Sequence, residues 1–382
     1  MFFILTAYGE ITIPCFSCGI FPSPNIREAI SIFSSTRRTL LAGILLGGSL
    51  LLLSQGCREA SLEKKERIRS AFAPDYSRVQ FSLAAPESTP VPPADPRLTA
   101  PPTQSPSPSP TAAPTPFSML WFSDTQVYAY KYPKVFNTMA AYAVNHRQEL
   151  NALCVLQTGD IVDNRHMERH WKNAAHAIGL MKEKIPFYCI AGNHDVGADK
   201  ADYAVYLTYA FNDMAAPEQQ YKDGVCWYET LEAGGTNFLL LGLGWQTDTE
   251  YFDWAQEVLE KYPDYICILL VHNFLSDDGS LTSNGRRVER NLVRLYKNIR
   301  LILCGHNDGS ARKDIVYENG RTAYALMYNF QDDKKKGLGY LRILTFDPVT
   351  RSVGVQTYSP YFSDYNYYED ESRDCFTLEN VF

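Results

Sequence analysis

The 382-residue sequence predicts an α/β domain in which a largely parallel sheet packs face to face on a second sheet, with helices on the outside. Three observations carry this expectation. From about residue 118 to residue 304, short apolar runs of strand type alternate with helix-prone segments, the pattern of βα units. After Asp308 the chain reads as strand upon strand, at 314–317, 322–328, 338–346 and 352–358. Finally, five of the apolar runs pass directly into polar clusters, and the carboxyl ends of strands are where α/β sheets hold ligands.

In chain order, residues 1–57 stand apart from that core. Arg37-Arg38 precedes an apolar run from Leu40 to Leu53. Fourteen residues are short for a membrane span of roughly 20 but suit the apolar part of an export signal. The run closes on Leu53-Ser54-Gln55-Gly56-Cys57, similar to a lipoprotein processing site, so Cys57 is the candidate for lipidation, with an uncleaved anchor as the alternative. Cys15 and Cys18 have redox or zinc spacing, yet no second pair accompanies them. Residues 58–116 read as a linker, charged at first and then Pro-rich, with 12 prolines among the 31 residues from Pro86 to Pro116. Such a chain stays extended and disordered and reaches on the order of 90 Å at about 3.1 Å per residue. The expected consequence is an exported domain held away from a membrane by its N-terminus.

The globular part is expected over 117–360, with 361–382 as an acidic, aromatic tail. Helices are expected at 134–150, 166–182, 200–211, 250–261 and 286–297, and strands at 118–123, 152–157, 186–191, 226–231, 236–242, 266–271 and 300–304. A hydrophobic content of 45% is ample for a core, and a net charge of -7 argues against a face that binds nucleic acid. Cys154, Cys189, Cys226, Cys267, Cys304 and Cys375 read as buried thiols, since four of them lie inside the apolar strands.

The polar clusters at the strand ends have the composition of a metal site. They contribute Asp124 and Gln126, Asp160 and Asp163, Asn193, His194 and Asp195, His272, and finally His306 and Asp308. A two-metal hydrolase holds its ions about 3.5–4 Å apart, so one carboxylate must bridge them; Asp160, central in the set, is the natural bridge. Asp124 and Gln126 are two residues apart, so an extended strand end would aim both to one side. The Asn193 amide offers a hard oxygen, and His272 and His306 offer imidazoles. His166 and His170 are four apart but lack the glutamate of a metalloprotease helix, and with His146 and His176 they read as exposed helix residues. Trp245, Tyr128 and Tyr130 follow motif strands and are candidates to line a cleft.

Taken together, Asp-x-Gln, Gly-Asp-x-x-Asp-Asn, Gly-Asn-His-Asp, a strand-end His and Gly-His-x-Asp resemble the calcineurin-like metallophosphoesterase superfamily over about 116–358. The similarity includes the late stretch Gly337-Leu338-Gly339-Tyr340-Leu341-Arg342. The resemblance implies a four-layer α/β/β/α sandwich, two divalent metal ions (Mn, Fe or Zn), and hydrolysis of a phosphate mono- or diester by a bridging hydroxide. It implies Asp124, Gln126, Asp160 and Asp308 around a first ion and Asp160, Asn193, His272 and His306 around a second. It further implies that His194, held by Asp195, serves the leaving oxygen, and that Asp163 supports its loop and His194. Two positions depart from the common pattern. Gln126 and Asp308 stand where histidines are commoner, so the first ion is expected to be the harder and more labile one. The alternative is a degenerate domain that binds a surface without catalysis.

Overall fold

The computed structural model describes residues 114–198, 202–211, 217, 219–245, 248–331, 338–368 and 370–382. The expected export signal, Cys57 and the linker up to residue 113 lie outside the described residues. The strands in chain order are β1 (Phe117–Phe122), β2 (Ala152–Gln157), β3 (Phe187–Cys189), β4 (Gln219–Tyr221), β5 (Cys226–Ala233), β6 (Thr236–Leu243) and β7 (Ile266–Val271). They continue as β8 (Ile299–Cys304), β9 (Gly309–Val316), β10 (Thr322–Asn329), β11 (Leu341–Asp347), β12 (Ser352–Ser359), β13 (Asp364–Tyr365) and β14 (Cys375–Leu378). The α-helices are α1 (Gln126–Lys131), α2 (Pro133–Asn145), α3 (Glu168–Gly179), α4 (Asn193–Val196), α5 (Tyr203–Tyr206), α6 (Thr249–Lys261) and α7 (Ser283–Val288).

Two seven-stranded sheets result. The first runs β13-β12-β11-β1-β2-β3, with β14 also paired to β12; the second runs β4-β5-β6-β7-β8-β10-β9. β1, β2 and β3 are parallel in the first, as are β6, β7, β8 and β10 in the second. The late strands therefore do not make the second sheet on their own, as the strand-after-strand pattern suggested. β11 and β12 instead add to the first sheet as an antiparallel extension of β1. Strand pairing depends on contacts distant in sequence, which apolar periodicity does not encode.

Alternation along each strand builds two cores from one apolar run. In β6, Phe238 and Leu240 join the core between the sheets, while Leu239 and Leu241 join a separate core on the far side. The inter-sheet core is locked by Trp121 of β1 against Tyr328 of β10, with ring centroids 4.6 Å apart, and by Phe117 against Phe238 at 5.6 Å. Outside the first sheet, α2 buries Val135, Phe136, Met139, Ala140 and Ala143, and α3 buries Trp171, Ala174, Ala177 and Ile178. Outside the second, α6 buries Phe252, Ala255, Val258 and Leu259. The order helix, sheet, sheet, helix is the expected four-layer sandwich.

Several local expectations change. α2 stops at Asn145 because the chain turns back through His146, and Ala152 N–H bonds the Arg147 carbonyl at 2.8 Å. α7 begins at Ser283, capped by Thr282, whose Oγ1 accepts the Gly285 N–H at 3.0 Å, and passes into a π-helical turn over Glu289–Val293. Residues 361–382, set apart above as a tail, pair through β13 and β14 and bury Leu378, Val381 and Phe382. Cys154, Cys189, Cys226, Cys267 and Cys304 are buried and form no disulfide among the described residues, whereas Cys375 of β14 is exposed.

Candidate metal centre

Residues from both sheets meet where their parallel strands end. Asp124 follows β1, Asp160 follows β2 and Asn193 follows β3, while His272 follows β7 and His306 follows β8. Asp124, Asp160 and His272 are at most 2% exposed. Backbone bonds tie the two sheets together here. His306 N–H donates to Asp124 Oδ1 at 3.1 Å, and the Thr158 carbonyl accepts His272 Nδ1–H at 2.7 Å. A carbonyl can only accept, so Nδ1 of His272 carries a proton, and in the neutral ring Nε2 is the nitrogen with the lone pair.

That Nε2 lies 3.2 Å from Asp160 Oδ2, 3.3 Å from Asn193 Oδ1 and 3.3 Å from His306 Nδ1. Ligand atoms of Asp160, His272 and His306 all fall within 4.8 Å of one another. Four electron-rich atoms thus converge where a cation would satisfy them together. The local field agrees. A proton competes for the same place: burial works against a charge on His272, yet Asp160 and Asp124 outweigh it and lift the ring to about 9, so a cation bound here would displace the Nε2 proton. Burial, with His272 beside it, holds His306 down to about 4, neutral and able to ligate. Burial pushes Asp124 up to about 7 against the pull of His272. Gln126 Nε2–H donates to Asp160 Oδ2 at 3.3 Å, and its buried Oε1 has no hydrogen-bond partner. A buried carboxylate with its charge resisted and an orphaned amide oxygen are what a divalent cation would relieve. The donor set, two imidazoles with carboxylates and amides, fits such an ion.

The glycines of the motifs make this packing possible. A Cβ on Gly192 would fall on Asp160 Oδ1, and one on Gly305 would fall on Asp124 Oδ2. Asp124 and Gln126 do share a side, but not as an extended strand end. Asp124 adopts φ 51° and Gln126 opens α1, so a turn brings them together. Asp308 is exposed and is not one of the three residues whose ligand atoms converge.

His194 stands at the open side of the cluster, with its side chain 39% exposed. Its Nδ1 lies 2.7 Å from the Asp163 carbonyl, so Nδ1 carries a proton and Nε2 faces outward from that bond. The Asp163 carboxylate is farther away, at 4.0 Å. Burial opposes a charge on His194, but Asp160, the Asp163 carbonyl and the nearby carboxylates outweigh it and raise its pKa. Asp195, expected to hold His194, does something else. It is fully buried, and its carboxylate accepts the N–H groups of Ile161 at 2.8 Å, Val162 at 3.0 Å and Gly192 at 2.9 Å. It pins the Asp160 loop to the Gly192 loop.

Of the remaining candidates, Trp245 packs its ring 5.4 Å from His306 and 5.6 Å from His272. Tyr128 is buried in α1 and donates to the Phe330 carbonyl, while Tyr130 is exposed and covers His170. His170 itself is 3% exposed, contrary to its expected place on a helix surface, and His166 and His176 are exposed as expected. Its burial follows from a turn at 164–167 that sequence periodicity does not register.

The family model for calcineurin-like phosphoesterases matches residues 117–307. The chain belongs to that family. Among curated proteins, the chain is 33% identical over 276 residues to the uncharacterized protein YvnB of Bacillus subtilis (strain 168), covering 69% of this chain. It spans only 21% of that relative's length. Among solved structures it is similar to the purple acid phosphatase PPD1 from yellow lupin (Lupinus luteus) seeds, with 15% identity, 70% of this chain and 54% of that one covered, and a TM-score of 0.49. It is also similar to GAP50, the anchor in the inner membrane complex of Plasmodium, with 12% identity, 69% and 88% covered, and a TM-score of 0.44.

Proposed function

We propose that this domain hydrolyses phosphate mono- or diesters with two divalent cations (Mn, Fe or Zn) held at the strand ends. The observation that carries the reading is the convergence of His272 Nε2, His306 Nδ1, Asp160 Oδ2 and Asn193 Oδ1, with His194 at its open side. Asp124, Gln126 and Asp160, with Asp308, would hold the first cation; Asp160, Asn193, His272 and His306 would hold the second. When bound, the cations supply Lewis acidity toward the phosphoryl oxygens and lower the pKa of water.

The protein's own groups do the rest. The Asp160 carboxylate faces both halves of the set, with Oδ1 fixed by the His194 N–H at 2.9 Å. His194, Nδ1–H toward Asp163, presents Nε2 to the ester; in its charged form, which the neighbouring carboxylates favour, Nε2 carries the second proton and can give it to the leaving oxygen. Asp195 keeps the two loops at their spacing without touching substrate. The first position, richer in oxygen, would take the harder ion.

We further place the domain outside the cytoplasm, tethered through the export signal, with Cys57 as its lipidation site and the Pro-rich segment as a spacer. Support comes from the residue order alone: Arg37-Arg38, the apolar run to Leu53, Cys57, then the prolines. The enzyme reading is tested by metal analysis of the purified chain together with a panel of chromogenic mono- and diesters. Metal-dependent turnover supports it, whereas full metal occupancy without turnover of any ester would favour a non-catalytic binding module.

A further inference from the structure

His194 and His170 grip opposite ends of one peptide unit. The Asp163 carbonyl accepts from His194 Nδ1 at 2.7 Å, and the N–H of the next residue, Asn164, donates to His170 Nδ1 at 3.3 Å. Carbonyl and N–H belong to the same planar group, so neither can reorient without the other. Their chemistry also fixes both rings. A carbonyl only accepts, so His194 carries its proton on Nδ1; an N–H only donates, so His170 has its lone pair on Nδ1 and its proton on Nε2.

We propose that His170 is a positioning residue for the reaction: through the Asp163–Asn164 peptide it holds His194 in the tautomer and orientation that present Nε2 to the ester. The proposal rests on the role given to His194 above. The ring of His170 is built to stay put. It lies 3% exposed on α3 and is covered by the Tyr130 ring at 4.9 Å, and its backbone N–H bonds the Met167 carbonyl at 2.8 Å. The turn between the two histidines is tied at three further points. His166 N–H donates to Asn164 Oδ1 at 3.0 Å, Met167 N–H to the Asn164 carbonyl at 3.0 Å, and the Trp171 indole to the Arg165 carbonyl at 2.9 Å. Bonds in series through a peptide polarise one another, so a lone pair on the N–H strengthens the carbonyl as acceptor for His194. Neither neighbouring carboxylate among the described residues does this work: Asp195 is occupied with backbone groups, and the Asp163 carboxylate is 4.0 Å from Nδ1.

Nitrogen-15 imidazole spectra of the unaltered full-length protein, taken without metal and without substrate, test the geometry independently of any activity. The expected result is a protonated Nδ1 on His194 and a bare Nδ1 on His170. A protonated Nδ1 on His170 would overturn the proposal outright. The variants His170→Gln, which keeps an acceptor on the side chain, and His170→Leu, which does not, then test the consequence. With Leu, the His194 tautomer is expected to become mixed, and kcat to fall about tenfold, the scale of a small misplacement. That fall is expected for esters with poor leaving groups and to be much weaker for p-nitrophenyl esters, with KM and metal content unchanged; Gln restores both signals. Equal losses on all esters, or an unchanged tautomer in His170→Leu, would overturn it. If no ester is turned over at all, the spectra still decide the positioning claim, and only the reading of the site as an enzyme fails.

Discussion

Asp124, Asp160 and His306 hold φ values of 51°, 52° and 73°, in the left-handed region that costs a non-glycine residue about 1 kcal/mol or more. Strain of this kind persists only where surrounding bonds enforce it, and here they do: each residue sits between a strand end and a partner from the other sheet. Asp160→Asn is expected to cost more metal than any other ligand change, because its carboxylate alone faces both halves of the set; elemental analysis of the purified variant checks this. His194→Ala is expected to keep its metal and lose turnover by roughly 10²–10⁴-fold, as for general acid–base groups. Loss of metal from His194→Ala would make it a ligand instead. Gly305→Ala is expected to lower both metal affinity and Tm, since the new Cβ must displace Asp124. At this scale the sequence was readable, because every motif is a polar string placed directly after an apolar run. Less readable were hydrogen-bond partners. Nothing in Gly-Asn-His-Asp says that Asp195 caps backbone N–H groups while Asp163 takes the histidine, nor that His170 is buried beneath that loop.

At the scale of elements, strands were recognisable from apolar runs, and their pairing was not. β11 joins β1 across more than 200 residues of chain, and β12 then pairs with β11, a long-range choice that local apolar runs do not encode. Helix α1 escaped notice because six residues carry too little periodicity, although it sets Gln126 beside Asp160. The C-terminal residues were misjudged for a related reason. Their tyrosines and acids hide a short strand, β14, whose Leu378 pairs with Val353 and is fully buried. Leu378→Ala is expected to destabilise the fold by about 2–5 kcal/mol, measured by urea denaturation. A surface tail would show almost no change. The same segment anchors on the second sheet through the Glu379 carbonyl, which accepts from Tyr324, and through Phe382, whose ring lies 5.6 Å from Phe238.

For the whole molecule, both sheets contribute to one edge: Asp124, Gln126, Asp160 and Asn193 follow strands of the first, His272 and His306 strands of the second. Neither sheet alone forms the centre, so folding and metal binding are expected to be coupled, and added metal should raise Tm in proportion to its affinity. The N-terminal segment, residues 1–57 and 58–116, is proposed as signal and spacer, and a chain starting near Pro116 is expected to fold and keep its activity per molecule. The oxygen-rich first position leads to the expectation that chelator-treated protein recovers best with Mn²⁺. The most direct test of the central claim is metal stoichiometry by titration of the stripped full-length chain, run beside Asp160→Asn with phosphoester turnover followed in parallel. The account predicts two ions per chain, turnover that rises with occupancy, and the loss of both in Asp160→Asn. An Asp160→Asn chain that binds and turns over like the unaltered protein would contradict it.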